Sequence, residues 1–186
     1  MRKAEAGLEK SRLRAAEFDQ LPETNQPTEL IQGEFIVSPS PAPQHQRISR
    51  RLCRLLEDLI PNGEIFSAPM DVYLDAENIP QPDIIWAAEG SRCKIGDKRL
   101  EGPPDLIVEI FSPGTVSQDK IQKFDLYERY GIGEYWMVDP YEAYVEVYRW
   151  QAGRFARQGA FTPDTPFESA ALGGKTVDLA AVFGSA

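Results

Sequence analysis

The chain predicts an α/β fold of the mixed α+β kind, a mixed β-sheet flanked by helices, and three observations predict it. Two segments place apolar residues at helical spacing. Several short apolar runs bounded by turn residues read as strands. Their order along the chain is helix, three strands, helix, then strands again. With 186 residues, 42% hydrophobic and 26% charged, the composition is that of a globular domain able to close one core without disulfide staples.

Residues 1–20 read as an N-terminal helical extension, because Leu8, Leu13, Ala15 and Ala16 are scattered among alternating charges. The turn-rich segment Leu21-Pro22-Glu23-Thr24-Asn25-Gln26-Pro27 opens a single domain over 21–186. Glu29-Leu30-Ile31 and Glu34-Phe35-Ile36-Val37 around Gln32-Gly33 predict an N-terminal β-hairpin with a tight turn. The prolines of Ser38-Pro39-Ser40-Pro41-Ala42-Pro43 end it. Ile48, Leu52, Leu55 and Leu59 form one face of a helix over 45–59, which Pro61-Asn62-Gly63 stops.

Strands are expected over 64–74, 82–88 and 106–111, with 89–102 a charged, glycine-containing exposed loop. A second helix spans 116–130, with Thr115 and Gln118 at capping-box spacing and Gly131 just past its end. Strands over 134–138 and 144–150 flank a turn at Asp139-Pro140. The segment 155–183 reads as one or two short strands and a terminal helical turn.

Twenty basic against twenty-nine acidic residues give a net charge of −9. That sign argues against coating of nucleic acid, which phosphate neutralisation drives, and leaves open an enzyme that meets a polyanion at a local basic strip. Cys53 and Cys93 supply neither a disulfide framework nor metal-ligand spacing. No apolar run reaches the roughly 18 residues of a membrane span, and no apolar stretch follows Met1-Arg2-Lys3, so the reading is a cytoplasmic protein without membrane association.

Chemistry concentrates at carboxylates inside apolar runs. In Asp105-Leu106-Ile107-Val108-Glu109-Ile110-Phe111, a central strand carries Glu109 in its interior. A buried carboxylate is paired, metal-bound or abnormally titrating, so an ion pair and a functional acid are equal readings of this segment alone. Asp83 opens the apolar run Ile84-Ile85-Trp86-Ala87, where by itself it reads as a turn aspartate. If the two strands pair, Asp83 and Glu109 converge on one hard divalent cation.

On the second helix, Lys120, Lys123, Asp119, Tyr127 and Tyr130 lie within about 100° of one another at 3.6 residues per turn. One lysine aimed at the acids would offset charge on a phosphate oxygen, while stems running along the helix edge are the bland alternative. Spacing does not choose between Lys120 and Lys123. Trp86, Tyr135 and Trp136 fall in apolar strands and read as core, and Asp105 after Gly102-Pro103-Pro104 reads as a strand-start cap. His45 reads equally as a cap, a hydrogen-bonding group or a substrate contact.

Taken in order, Pro82-Asp83 and Glu109-Ile110-Phe111 resemble the PD-(D/E)XK nuclease superfamily, and within it the Uma2 (DUF820) group of restriction-endonuclease-like proteins. Glu29-Leu30-Ile31-Gln32-Gly33-Glu34 with Ser38-Pro39 and His45-Gln46-Arg47 is similar to that group's opening. Glu109-Ile110-Phe111-Ser112-Pro113 with Asp119, Lys123 and Tyr127 is similar to its centre, and Glu134-Tyr135-Trp136-Met137-Val138-Asp139-Pro140 to its closing strand.

The superfamily's usual lysine slot, two residues after the acid, is Phe111 here. The resemblance moves that role to Lys123 on the following helix, with Lys120 as the fallback. It implies a restriction-endonuclease-like core and a metal-dependent endonuclease acting on DNA. Asp83 and Glu109 would be ligands to Mg²⁺ or Mn²⁺, aided by the Ile110 carbonyl, and Lys123 would be the cation of the site. Tyr127 and Asp119 would orient Lys123, and Glu34 is a candidate outer carboxylate. A homodimer is the simple way to cut both strands of a duplex. The alternative is a catalytically silent interaction or regulatory module on the same fold. A glycosidase using the two acids ranks last.

Overall fold

The computed structural model describes residues 12–22, 24–112 and 118–184, with side chains left out for 118–120. Residues 12–14 run extended into a single helical turn, α1 (Ala15–Phe18). Helix is therefore confined to that turn within 12–20, and the rest of the expected helical extension lies outside the described residues. Leu13 and Phe18 pack with Ala15, Leu30 and Ile79.

Strands β1 (Thr28–Ile31) and β2 (Glu34–Val37) form the expected hairpin. Its two-residue turn places Gln32 at φ 53° and Gly33 at φ 76°, left-handed at both positions as a type I′ turn requires. Helix α2 (Pro43–Leu59) starts two residues earlier than the periodicity suggests, with Pro43 in its first turn, where a missing N–H is harmless. His45 does not cap it: the N-cap is Ala42, which makes no side-chain capping bond.

The run 64–74 is not one strand. It divides into β3 (Glu64–Ser67) and β4 (Val72–Tyr73), which join different sheets. After β5 (Ile84–Ala87), the expected loop 89–102 carries β6 (Lys94–Ile95) and β7 (Leu100–Glu101), so it is partly structured, with Cys93 and Leu100 buried. Next come β8 (Leu106–Ile110), α3 (Gln118–Tyr130), β9 (Glu134–Asp139) and β10 (Tyr144–Gln151). Gly131 sits at φ 69° just past α3, the left-handed C-terminal position its sequence predicts. The capping pair of Thr115 with Gln118 lies outside the described residues.

The C-terminal segment holds three strands rather than one or two: β11 (Arg154–Phe161), β12 (Phe167–Ser169) and β13 (Lys175–Val177), before α4 (Ala180–Phe183). The central sheet has the order β11-β10-β9-β8-β5-β3. Only the β8–β9 pair in it is parallel, and α3 is the crossover that such a pair demands.

Strand alternation sorts the side chains onto two faces. Leu106, Val108 and Ile110 join Ile48, Leu52 and Leu56 of α2, together with Phe167, Leu172, Val177 and Val182 from the C-terminal segment. Ile107, Tyr135 and Met137 face Leu126 and Tyr127 of α3 and Ile31 of the hairpin. Trp86, Tyr135 and Trp136 are buried in these cores, as their apolar surroundings predict. Asp105 accepts the Ala88 N–H at 2.9 Å and ties the start of β8 to the end of β5.

Candidate active site

Alternation along β8 puts Glu109 on the same face as Ile107, under α3. Strands β5 and β8 pair antiparallel with Ile84 opposite Val108, so continuing the register by one residue sets Asp83 opposite Glu109. The two acids that stood out in separate apolar runs therefore meet at one end of the sheet. Ile110 N–H donates to Asp83 Oδ2 at 2.7 Å, which fixes the aspartate against β8. His45 Nε2 approaches the same oxygen at 3.1 Å, so the histidine's partner is Asp83 rather than the helix end.

Helix α3 brings the cation. Lys123 Nζ donates to Glu109 Oε1 at 3.0 Å, and Tyr127 OH, one turn on, donates to the same oxygen at 2.7 Å. Lys123 is thus not running along the helix edge toward water; its side chain is 14% exposed. Its second carboxylate is Glu29 Oε1 on β1, at 2.8 Å. Glu29 also accepts the Gln81 N–H at 2.7 Å, which joins the hairpin to the residues just before Asp83.

The electrostatics follow from this crowding. Burial lifts the Glu109 carboxyl to about 7 against the pull of Lys123, with Asp83 and Glu29 pushing the same way as burial. Burial disfavours the Lys123 ammonium, but Glu109 and Glu29 outweigh it and hold the amine above its ordinary range. Burial and then the Glu109 and Glu29 charges raise the Tyr127 phenol, which keeps it a proton donor. At His45, burial opposes the charged ring, yet its bond to Asp83 and the charges of Asp83 and Glu109 leave its pKa raised.

Glu29, His45, Asp83, Glu109 and Lys123 open onto a cleft of about 1210 Å³. Its walls include the segment 38–41, the start of α2, and the segment 67–71.

Glu34 is not brought into this cluster. It stands exposed at the turn end of β2 opposite Ile31, and it does not line the cleft. The side chains of Asp119 and Lys120 lie outside the described residues. Glu29 is the acid that sequence reasoning missed. Its signal was the alternation of β1, which sets Glu29 on the face of Ile31, the residue that packs toward α3.

A family model described as "Putative restriction endonuclease", Uma2, matches residues 15–180. The chain belongs to the Uma2 family. The "Uncharacterized protein sll1609" of Synechocystis sp. is 32% identical over 142 residues, covering 74% of this chain and 80% of that protein. The crystal structure of a "putative nuclease belonging to DUF820" from Anabaena variabilis superposes with a TM-score of 0.75 at 24% identity, covering 92% of this chain and 97% of that one. At that identity the likeness establishes the fold, a restriction-endonuclease-like core with its mixed sheet between helices.

Within this Uma2 chain the donor set fits a small, hard cation. No cluster of three or more His, Cys, Asp or Glu with metal-holding geometry occurs among the described residues. Mg²⁺, however, commonly takes only one or two carboxylates and keeps several waters. Asp83 and Glu109 each use one oxygen toward protein donors and keep the other without one among the described residues. Three carboxylates also surround one ammonium here. Burial first, and this excess of negative charge beside it, drive Glu109 toward protonation, and a divalent ion would neutralise the charge.

Proposed function

We propose that this Uma2 protein is a divalent-metal-dependent endonuclease that hydrolyses DNA phosphodiester bonds, using Asp83, Glu109 and Lys123. The observation that carries the reading is the Lys123 ammonium clamped between Glu109 and Glu29 on the cleft floor beside Asp83. Acid, acid and lysine from three separate segments converge there although the superfamily's usual lysine slot holds Phe111. The family's description as a restriction endonuclease supports the substrate class.

Asp83 and Glu109 would hold Mg²⁺ or Mn²⁺ through their free oxygens, with the Ile110 carbonyl as a further ligand. A metal bound there would lower the pKa of a water and polarise the scissile phosphate. The protein's own groups do the rest. Lys123 donates toward the attacking water or the charge developing on the phosphate. Tyr127 and Glu29 hold Glu109 and Lys123 in place, as groups behind a metal's ligands do. His45 and the Ile110 N–H keep Asp83 aimed into the cleft.

The test is cleavage of supercoiled plasmid and of single-stranded DNA with Mg²⁺ and then Mn²⁺. Turnover should vanish with chelator and in Glu109→Ala and Lys123→Ala, while circular dichroism shows both variants folded. Wild-type rates in either variant would sink the assignment. Because the net charge of −9 favours a binding module on the same fold, titration calorimetry with Mn²⁺ is the companion experiment. A metal site lost in Asp83→Ala supports the enzyme; no binding by the wild-type protein supports the module.

A further inference from the structure

Helix α2 carries Arg47, Arg50, Arg51 and Arg54 at positions i, i+3, i+4 and i+7, the spacing of one continuous helical stripe. The opposite face is the apolar one that Ile48, Leu52 and Leu56 bury against the sheet. Arg51 is used internally: its Nη1 donates to the Val182 and Gly184 carbonyls at 3.0 and 3.1 Å. Arg47, Arg50 and Arg54 are exposed.

None of the three exposed arginines takes part in an ion pair among the described residues, where the paired cations are Arg14, His45, Arg99, Lys123 and Arg157. Arg47 donates only to the neutral side chain of Gln44. Arg47 and Arg50 line the cleft that holds Glu109 and Lys123, and Arg54 continues the row along the helix. An unneutralised basic row at the mouth of this cleft stands out on a chain of net charge −9.

From this placement we infer that Arg47, Arg50 and Arg54 form a phosphate track that lays the backbone of duplex DNA along α2 and leads it to the cleft, an inference that rests on the nuclease reading. From Arg47 to Arg54 the helix rises about 10 Å, a length over which duplex DNA presents roughly six charges. Guanidinium forks suit phosphate oxygens. On a chain of net charge −9, a local row of cations outside any ion pair is a feature that draws a polyanion. The track carries no sequence information; it sets position and supplies the salt-dependent part of binding.

The test is fluorescence anisotropy of a short labelled duplex across a salt series with Ca²⁺ in place of Mg²⁺. It compares wild type, Arg50→Gln, the triple variant Arg47→Gln/Arg50→Gln/Arg54→Gln, and Arg154→Gln on the far edge strand as control. Each phosphate contact contributes about 0.9 to the slope of log K against log salt. The triple variant should therefore be shallower by about 2 to 3 and Arg50→Gln by about 1, with the control unchanged. Mn²⁺ affinity should be unaltered in all of them, because these arginines do not touch the acids. Slopes equal to wild type in the triple variant would overturn the track while leaving the nuclease standing if plasmid is still cut. Loss of slope in a protein that binds but never cuts would keep the track and discard the catalysis. Wild-type protein that binds no duplex would overturn the track, and the cleavage assay on plasmid and single-stranded DNA would then decide the nuclease reading by itself.

Discussion

Glu109 sits where burial and neighbouring acids favour its neutral form and Lys123 with Tyr127 favours its charge. The balance lifts its pKa from 4.5 to about 7, which gives the metal-free protein a signed dependence on pH. The folded state keeps the proton longer than the unfolded chain does. This group's contribution to stability is therefore full below the ordinary carboxylate range and falls as pH rises through about 7. Metal ligation needs the ionised form, so Mn²⁺ affinity should climb over the same interval, with proton release on binding. Calorimetry in buffers of different ionisation heat at pH values on either side of 7 checks both effects. Affinity that does not change with pH would show that Glu109 is already ionised. Glu109 stood out in the sequence as a candidate because an ionisable group inside an apolar run is a local anomaly, and Asp83 because it opens a second such run; Lys123 was singled out over Lys120 only by the family resemblance. Glu29 did not stand out, since an acid near a turn-rich segment looks ordinary until Lys123 folds onto it from the other side.

At the scale of elements, the two long helices and the central strands follow from periodicity, and the β1–β2 turn from Gln32-Gly33. What the pattern hid is pairing across distance. Strand β4 is two residues long and exists because Val72 lies parallel to Leu100; no short window of sequence contains that partner. The full count of C-terminal strands was under-read for another reason: β11 is largely exposed, and its residues lack clean alternation. Those strands are tied back by Glu134, which is 1% exposed. It accepts the Trp136 indole N–H and the Ser169 hydroxyl at 2.7 Å, and the Ala171 N–H at 3.1 Å. Glu134→Ala would strand all three donors, a loss on the order of 3 kcal/mol for hydrogen bonds to a charged acceptor. Urea unfolding should show this as a lower midpoint at constant m-value, with Mn²⁺ binding retained by the folded fraction. A midpoint within experimental error of wild type would show that water replaces the carboxylate.

Over the whole molecule, one sheet is covered on one face by α2 with the C-terminal segment and on the other by α3 with the hairpin. The C-terminal residues are structural members of the first core: Phe167, Leu172, Val177, Leu179 and Val182 all pack into the cluster of Ile48, Leu52 and Leu56. A chain stopped at Thr165 should therefore lose its cooperative thermal transition and expose the α2 face. Scanning calorimetry would show no endotherm, and a transition near the wild-type temperature would mean that α2 is held by the sheet alone. The cleft inherits this dependence. Its acids and its cation come from residues 29, 83, 109 and 123, and the helix beside them is seated by residues near 180. On a ribosome these parts emerge in sequence, and the segment that completes the core follows all of them. A nascent chain thus carries the complete set of site residues before it carries a site, and whatever chemistry the cleft performs begins only once the residues near 180 have joined the core.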